Sequence, residues 1–328
     1  MADVARLAGV SHQTVSRVIN GGVVAADTRE RVLEAIRMLD YRPNPAARAL
    51  VTGRSKTIGV VSFDTTLHGP ASALLAIERA AHEHDYFTSM ISLQELDGAA
   101  VLDAVRRFQR QGVEGIAVIA PELGAVDALP TLPSIMPIVA LEAGPETGFP
   151  LAAIDQEAGA IAATKHLLEL GHATVLHVAG PPAWDEAERR IRGWRDALRS
   201  AGAVVRDPLR GDWSPRSSYA LGRELLEMSD VTAVFVASDQ MALGLLRALH
   251  EAGRSVPEDI SIVGFDDIPE AQYFTPPLTT VRQPFAEMGR LGFEMLVEEI
   301  AHGGRSSRRA LIAPELIVRA STGPPRRA

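Results

Sequence analysis

The stretch DVARLAGVSHQTVSRVIN, residues 3–20, has the pattern of two short helices joined by a tight turn. Gly9 permits a close corner, and Ser11 is a suitable N-cap for the second helix. At helical spacing, the inward side of the first helix would carry Val4, Leu7 and Ala8. The stretch therefore predicts a helix-turn-helix.

The second helix of this stretch has two distinct sides. One side is apolar and carries Val15, Val18 and Ile19. The opposite side is polar, bears no carboxylate, and carries His12, Gln13, Ser16 and Arg17. Imidazole, amide, hydroxyl and guanidinium groups can read base edges in a major groove. A solvated helical pair is the alternative, but the corner, the cap and the acid-free side together favour DNA binding.

The charge of the chain is divided between its two ends. The net charge is -8, yet residues 1–57 hold nine basic and five acidic residues. A basic head on an acidic body is typical of a protein that touches phosphates with one end only.

Bulk properties exclude several classes of protein. With 328 residues and 46% hydrophobic composition, the chain can bury a large core in two or three domains. It has no cysteine, which excludes disulfides and thiolate metal sites. Apolar runs of membrane-spanning length and a secretory leader are absent from the sequence, so we expect a cytoplasmic protein without a membrane partner.

Two more helical segments follow the helix-turn-helix. Asp27 and Thr28 can cap a third helix, with Glu30 placed for a capping box. Its apolar positions, expected to close the head, are Val32, Leu33, Ile36 and Leu39. In YRPNPAARALVTGRSK (41–56), Asn44 can cap a helix, Pro45 can begin it and Gly53 can end it. About two turns are too short to be stable alone, so this segment is a candidate for folding on binding.

From residue 57 onward, apolar β-branched runs alternate with amphipathic helical stretches. The predicted strands are IGVVSF (58–63), FTSMISL (87–93), VEGIAVIA (113–120), PIVALEA (137–143), TVLHVAGP (174–181), TAVFVAS (232–238) and ISIVGFDD (260–267). The predicted helices lie near 70–84, 98–111, 156–170, 185–201, 215–228 and 240–252. Strands buried on both faces and linked by helices indicate doubly wound parallel sheets, and the length favours two lobes. Ligands of such folds bind beyond the carboxyl ends of the strands, so we expect a cleft between the lobes.

These residues, in this order, resemble the lactose/galactose repressor (LacI/GalR) family of bacterial transcription regulators along nearly the whole chain. The blocks that carry the resemblance are DVARLAGVSHQTVSRVING (3–21), YRPNPAARAL (41–50), SDQMALG (238–244), VPEDISIVGFDD (256–267) and PPLTTVRQPFAEMG (276–289). Within the family, the blocks similar to the lactose repressors are HQTVSR (12–17), LHGPAS (67–72) and GDWS (211–214). The resemblance implies an N-terminal all-α helix-turn-helix headpiece and an α/β, periplasmic-binding-protein-like core of two doubly wound lobes.

The resemblance also implies the domain limits. We expect a headpiece over residues 1–43, a hinge helix and linker over 44–56, and an effector-binding core over 57–328. Within the core, the N-lobe is expected at about 57–154 and 284–311, and the C-lobe at about 155–281 and 312–322.

By resemblance, the second helix enters the major groove of double-stranded operator DNA. His12, Gln13 and Arg17 are the implied base readers, although His12 replaces the tyrosine of the lactose repressors and could contact a phosphate instead. The remaining implied DNA contacts are Ser16, Asn20 and Leu50. In the family a hinge-helix leucine wedges into the minor groove, although Leu50 could also be an ordinary apolar residue. Two heads of a homodimer would read a pseudo-palindromic operator.

The resemblance further implies a small-molecule effector between the lobes. Arg190 and Asp266 are the implied contacts to effector hydroxyls, since Arg is a rigid donor fork and Asp accepts two bonds. The other implied effector residues are Trp213, Phe285, Gln283, Ser238, Glu142, Leu67, Gly69, Pro70 and Trp184. The alternatives are that the aromatic residues are plain core, that Asp266 orients a loop, and that Arg190 is a surface charge.

Several positions depart from the lactose repressors. Ser238 and Ile119 replace asparagines, and Glu142 replaces an aspartate and so keeps an acid on a longer stem. Trp184 and Glu186 look like a locally different wall. We therefore expect a carbohydrate or glycoside effector, with a β-galactoside or another disaccharide favoured, and leave open whether it induces or corepresses.

The sequence does not favour an enzyme. It contains neither a P-loop nor a G-x-S-x-G or GxGxxG that opens a helix after a strand. His166, His172 and His177 lack metal-site spacing and are expected to be surface or packed residues, so we expect neither metal nor cofactor. The terminal ASTGPPRRA has no heptad repeat, which favours a dimer. The alternatives are a periplasmic-type sugar-binding protein and a regulator that responds to a non-sugar metabolite or a phosphorylated carrier protein.

Overall fold

The computed structural model describes residues 1–19, 21–42, 49, 53–93, 98–120, 136–144, 148–303 and 306–326. These residues form two units, Met1–Lys56 and Thr57–Ala328, and each is described by itself. In these ranges no helix is both long and apolar enough to cross a membrane.

The first unit is a small helical head. Its described helices are α1 (Ala2–Ala8), α2 (His12–Ile19) and α3 (Ala26–Met38). Gly9 ends α1 with a φ of 65°, and the Ser11 Oγ accepts a hydrogen bond from the Thr14 backbone N–H at 3.2 Å. The buried core consists of Val4, Ala5, Ala8, Val15, Val18, Val32 and Ala35. The predicted helix-turn-helix is therefore confirmed.

The third helix begins earlier than the sequence predicts. It starts at Ala26, and its N-cap Ala25 makes no side-chain capping bond. Asp27 lies in the first turn, and its carboxylate pairs with Arg31 at 3.5 Å. At this position the negative charge also interacts favourably with the positive end of the helix dipole. The predicted capping by Asp27 and Thr28, with Glu30 in a capping box, is therefore wrong.

Three leucines predicted to close the head are instead solvent-accessible in this unit. Leu7, Leu33 and Leu39 are 50%, 44% and 43% exposed. The core is small, and valines and alanines at neighbouring helical positions fill it. Helical spacing alone cannot show which members of a broad apolar stripe reach the centre.

The first lobe of the second unit is built on a parallel sheet. Among the described residues its strands are β1 (Thr57–Phe63), β2 (Phe87–Leu93), β3 (Gly115–Ile119), β4 (Ile138–Leu141), β5 (Leu151–Ile154) and β11 (Arg309–Ile312). Their order across the sheet is β11-β5-β4-β3-β1-β2. The helices of this lobe are α4 (His68–Glu83), α5 (Gly98–Gln111) and α10 (Phe285–His302). One face packs with α4 and α10 around Ile58 and Leu296, and the other with α5 around Phe108.

The second lobe repeats this architecture. Its described strands are β6 (Leu176–Ala179), β7 (Leu209–Arg210), β8 (Ala233–Val236), β9 (Ser261–Asp266), β10 (Thr279–Arg282) and β12 (Glu315–Ile317), in the order β12-β10-β9-β8-β6-β7. Among these described strands, only β12 pairs antiparallel to its neighbour, which is β10. The helices are α6 (Gln156–Glu169), α7 (Asp185–Ser200), α8 (Pro215–Leu225) and α9 (Asp239–Glu251). Trp194 anchors the core beneath α6 and α7, and Leu245 the core beneath α8 and α9.

The predicted α/β core of two doubly wound lobes is confirmed, with two differences in detail. FTSMISL forms the edge strand β2, in which Phe87 and Met90 are 64% and 51% exposed rather than buried. Strands β5, β7, β10, β11 and β12 were not predicted. Runs of two to four residues are too short to show a period, and they become strands by pairing with neighbours.

Candidate functional site

A cleft lies where the chain passes between the two lobes. In the described part, the chain crosses at Asp155, at residues 283–284 and at residues 313–314, just after strands β5, β10 and β11. The carboxyl ends of the parallel strands in both lobes therefore meet at this cleft, where open α/β sheets bind ligands.

The cleft holds a cavity with about 340 Å³ of empty space, part of which is open to solvent. Its lining residues follow the carboxyl ends of strands or begin the next helix: Leu67, His68, Gly69, Pro70, Trp184, Glu186, Arg190, Trp213, Ser238, Gln240, Asp266 and Gln283. The first four belong to the N-lobe and the others to the C-lobe or its connection. A ligand in this cavity would contact both lobes.

Arg190 is the centre of the polar network in the cleft. Its side chain is 2% exposed, and its Nε donates to the Gln156 Oε1 at 2.9 Å. Its Nη1 donates to the Ala237 carbonyl, and its Nη2 lies 3.6 Å from Glu186 Oε2 and 3.9 Å from Asp266 Oδ1. The guanidinium carbon lies 3.9 Å from the centre of the Phe265 ring. Arg190 is thus a buried charge with fixed donors, and the surface-charge alternative is wrong.

Two glutamines connect the crossing segments to Asp266. The Gln156 Nε2 donates to the Gln283 Oε1 at 2.8 Å, and the Gln283 Nε2 donates to the Asp266 Oδ1 at 2.7 Å. Together with the Arg190 bond to Gln156, this makes a buried chain of hydrogen bonds across two crossings. These bonds fix the two crossing segments where they meet the C-lobe.

Several residues in or near the cleft have a left-handed backbone conformation. Glu142, Trp213 and Asp266 have φ angles of 54°, 71° and 111°, in the region that L-residues rarely adopt. Such positions cost about 1–3 kcal/mol each and persist only where the surrounding structure holds them, which is common at binding sites. The carboxylate of Asp239 supports the Asp266 loop by accepting from the Ile268 N–H at 2.9 Å.

Two tryptophans form the aromatic wall of the cavity. Trp184 and Trp213 meet edge to face, with ring centroids 5.5 Å apart. The Trp213 indole N–H is buried and has no hydrogen-bond partner among the described residues. Gly180 lies against this ring, since a Cβ there would come within 2.3 Å of it. The wall therefore offers ring faces and one open donor to a ligand.

The structure brings nine of the eleven predicted effector residues to the cavity. Glu142 and Phe285 are the exceptions: both are buried, Glu142 behind Gln156, and Phe285 edge-on to the His68 ring at 5.8 Å. Residues that line the cavity but were not predicted as contacts are His68, Glu186 and Gln240. Each lies within two residues of a predicted one, and the sequence had already marked Glu186 with Trp184 as a locally different wall.

Buried carboxyl groups at the cleft resist ionisation. Burial raises the pKa of Glu186 to about 7, assisted by the charges of Asp266 and Asp185 and opposed by Arg190. Burial, assisted by the charge of Glu186, raises the pKa of Glu142 well above its usual range. Burial also raises the pKa of Asp266, against the opposing effects of Arg190, His68 and Gln283. The cleft therefore holds more acid than its single guanidinium balances.

The three histidines tested above for metal-site spacing, His166, His172 and His177, pack against or bond to neighbouring side chains. His177 is fully buried and stacks on Phe235 with centroids 4.5 Å apart, and burial lowers its pKa to about 3. His166 and His172 make hydrogen bonds to Thr322 and Thr232 at 3.0 and 2.8 Å. Within the described ranges, no group of His, Asp and Glu has a metal-binding arrangement.

Ser238 has a structural role in addition to its place in the cavity. Its Oγ accepts a hydrogen bond from the Met241 N–H at 3.2 Å and so caps α9. We expect Ser238→Ala to lower the free energy of unfolding by about 1 kcal/mol, because a helix N-cap is lost. Ser238→Asn keeps a capping oxygen and should cost less. Urea unfolding of both variants checks this, and equal losses would contradict the capping role.

On the head, α2 presents the predicted polar side. His12, Gln13 and Arg17 are exposed, Ser16 is half-buried, and Val15 and Val18 are buried on the opposite side. This arrangement leaves an amide, an imidazole and a guanidinium accessible along one helix. Asn20 and Leu50 lie outside the described residues. At the end of the hinge segment, Gly53 has a φ of 68°, and its N–H donates to the Ala49 carbonyl at 2.8 Å.

Comparison with known proteins supports both parts of the chain. Residues 1–44 match the model for bacterial regulatory proteins of the lacI family, and residues 164–322 match the model for a periplasmic binding protein-like domain. The HTH-type transcriptional repressor PurR of Haemophilus influenzae (strain PittEE) is 35% identical over 97% of both chains.

Two solved structures share the architecture. The lac repressor dimer bound to operator and the anti-inducer ONPF is 33% identical, with a TM-score of 0.87 over 98% of both chains. The complex of the transcriptional regulator CelR with cellobiose is 33% identical, with a TM-score of 0.72 over 97% of this chain and 98% of that one.

A helix-turn-helix head joined to a two-lobed binding core defines a ligand-binding transcription regulator. The chain belongs to the lacI family of bacterial regulatory proteins. It is a DNA-binding transcriptional repressor of that family, and its relatives are repressors rather than enzymes.

Proposed function

We propose that this protein represses carbohydrate-utilisation genes, and that a sugar or glycoside bound between its lobes controls its affinity for DNA. The cavity carries this proposal, because Trp184 and Trp213 adjoin Arg190, Asp266 and Gln283. Indole faces pack against the C–H faces of a sugar ring, while the fork of Arg and the oxygens of Asp bond hydroxyls. The likeness to the CelR–cellobiose complex supports a disaccharide-sized ligand. A β-galactoside or another disaccharide is our favoured class.

The effector experiment is a calorimetric titration with a panel of mono- and disaccharides that includes β-galactosides, β-glucosides and maltose-type sugars. We expect at least one to bind, and Asp266→Ala to weaken that binding at least tenfold, because Asp266 is a buried acceptor in the cavity. Asp196→Ala, an exposed acid on α7, is the control and should bind normally. If no sugar binds to folded protein, the carbohydrate proposal is wrong and purines or other metabolites come next.

On the DNA side, we propose that a homodimer reads a pseudo-palindromic operator, with the exposed side of α2 in the major groove. The side chains proposed as base readers are His12, Gln13 and Arg17, with Ser16 and Asn20 as further contacts and Leu50 as a minor-groove wedge. The likeness to the lac repressor dimer on its operator supports this assembly. The limits of headpiece, hinge and lobes given above belong to the same proposal.

The base-reading role of Arg17 predicts a selective loss. An operator is first selected from random duplexes. Arg17→Ala should then lower the affinity of the protein for that operator about 5–150-fold, because a bidentate arginine–guanine contact is worth about 1–3 kcal/mol. Affinity for scrambled DNA at the same salt should fall much less. Arg37→Ala on α3 removes one exposed positive charge and serves as the matched control. If both variants lower operator and scrambled affinity in proportion, Arg17 reads no base.

We propose that lobe closure transmits effector binding to the head. The effector would contact Leu67 and Pro70 in the N-lobe and Trp184 and Trp213 in the C-lobe, so it would favour one angle between the lobes. That angle would set whether the hinge segments, residues 44–56, fold on DNA. A coupling of about 1–3 kcal/mol would change DNA affinity about 5–150-fold. The sign of this change decides between inducer and corepressor.

A further inference from the structure

Three carboxyl groups lie in or near the cavity beside one guanidinium and the imidazole of His68. Among the described residues that line it, Glu186 and Asp266 carry carboxylates, and Arg190 carries the guanidinium between them. Glu142, next to Gln156, adds a third carboxyl group, 4% exposed, and its Oε1 has no hydrogen-bond partner among the described residues. Burying several carboxylates beside one guanidinium is costly, so burial favours the neutral form of these groups.

Other charges near the cavity are already paired or bonded. On α7, Asp185 pairs with Arg189 at 2.5 Å, and Glu188 pairs with Arg210 at 2.8 Å. Asp239 accepts from the hydroxyl of Thr280 at 2.6 Å as well as from the Ile268 N–H. His68 faces Asp266 from α4 as the remaining titratable group. None of these supplies a spare cation to Glu186.

Arg190 cannot satisfy Glu186 fully. Its Nε and Nη1 already donate to Gln156 and to the Ala237 carbonyl. Its Nη2 is 3.6 Å from Glu186 and 3.9 Å from Asp266, which is beyond hydrogen-bond length for either carboxylate. Glu186, 7% exposed and with a pKa of about 7, therefore holds a proton part of the time at neutral pH. A cation in the cavity would replace that proton.

The tryptophan wall already lies beside one cation, because the Arg190 guanidinium carbon is 5.5 Å from the centroid of the Trp213 ring. Trp184 and Trp213 both line the cavity beside Glu186. The faces of indole rings attract ammonium groups, and the attraction is stronger where water is excluded. Two tryptophans and two carboxylates line one space. A sugar hydroxyl could donate to either carboxylate, but only a protonated amine would also bring a compensating positive charge.

We propose that the effector carries a protonated amine, and that its ammonium group binds to Glu186 beside the tryptophan wall. The inference rests on the proposed function, in which a glycoside occupies this cleft, and it names an amino sugar or amino glycoside as the class. Arg190 and Gln283 would form hydrogen bonds with the sugar hydroxyls, while Glu186 would bind the amine and so select it.

The experiment compares sugars that differ only in an amine or a hydroxyl at the same carbon of each ring. Glucosamine, galactosamine and the glucosamine β-1,4-dimer are titrated against glucose, galactose and cellobiose, and against the N-acetylated dimer, by calorimetry at pH 6. We expect at least one amine to bind ten or more times tighter than its hydroxyl counterpart. We also expect amine binding to release nearly one proton per site, because Glu186, with a pKa of about 7, is largely protonated at pH 6. The number of protons released is obtained by comparing the binding enthalpy in buffers of different ionisation enthalpy.

Two variants separate selection of the amine from a merely structural role. In Glu186→Gln the amine-to-hydroxyl affinity ratio should fall towards one, and proton release should disappear. Glu188→Gln lies two residues away, pairs with Arg210 outside the cavity, and should keep both the ratio and the release. If neutral sugars bind as well as amines, or if the preference survives Glu186→Gln, the amine inference is wrong while the carbohydrate function stands. If no sugar of either kind binds, both fail.

Discussion

Arg190→Leu is expected to lower the free energy of unfolding by about 3–5 kcal/mol at pH 7.5 and to abolish effector binding. Removing one partner of a buried charged network leaves the others uncompensated, which is the costly case for ion pairs. In this variant the buried carboxylates of Glu186 and Asp266 lose the neighbouring guanidinium, and the Gln156 oxygen loses the hydrogen bond that it accepts from Arg190. Leucine fills much of the volume, so the loss is mainly electrostatic.

The pH dependence identifies that cause. Without the guanidinium, the folded-state pKa values of Glu186 and Asp266 rise further above their unfolded values. A raised carboxyl pKa means that stability is lost as the pH rises through the folded value, so the deficit should be smaller at pH 5 than at pH 7.5. Denaturant unfolding at both values measures it. Arg192→Leu, which breaks a half-exposed pair with Glu157, should cost less than about 1 kcal/mol. Equal deficits of Arg190→Leu at the two pH values would contradict the electrostatic account.

Gly193→Ala is expected to lower the free energy of unfolding by about 3 kcal/mol, at the upper end for overpacking. A Cβ at this position would lie 2.3 Å from the Glu157 carbonyl oxygen, where α7 crosses α6. The obstacle is helix backbone, so the two helices must move apart. They carry Arg190 and Gln156, whose hydrogen bond holds the network of the cleft together. Effector affinity should therefore fall as well.

Thermal and urea unfolding measure the first effect, and the sugar titration measures the second. Gly148→Ala is the control, since a Cβ there meets nothing within 4 Å and its φ does not require glycine. It should leave stability within about 0.5 kcal/mol of the parent. A stable Gly193→Ala protein with normal effector affinity would show that α6 and α7 can separate without cost.

The helices and strands that are defined by local residue patterns could be predicted from the sequence with little error. The helix-turn-helix followed from the spacing of Val15 and Val18, the corner at Gly9 and the cap at Ser11, all of which act within a few residues. The alternation of strands and helices over residues 57–267 likewise predicted two doubly wound lobes. The errors lay where packing decides, as at Leu7 and Leu33, since helical spacing cannot tell a stripe's edge from its centre.

In the cleft, too, some features could be predicted from the sequence and others could not. Resemblance pointed to Arg190, Asp266 and most of the lining, because those residue types recur in fixed motifs. It did not predict that Gln156 and Gln283, 127 positions apart, would bond each other where the chain crosses between lobes. Nor did it show that Glu186 would be buried with too few cations near it.

The sequence by itself determined the order of elements, the acid-free side of α2 and the identity of the polar groups available to a ligand, since all of these are properties of short segments. The tertiary structure alone decided which charges share one cavity and which pair elsewhere: Asp185 pairs with Arg189, and Glu186 is left beside Asp266. The reason is physical. Burial and charge balance are sums over neighbours distant in the chain, and only folding brings those neighbours together.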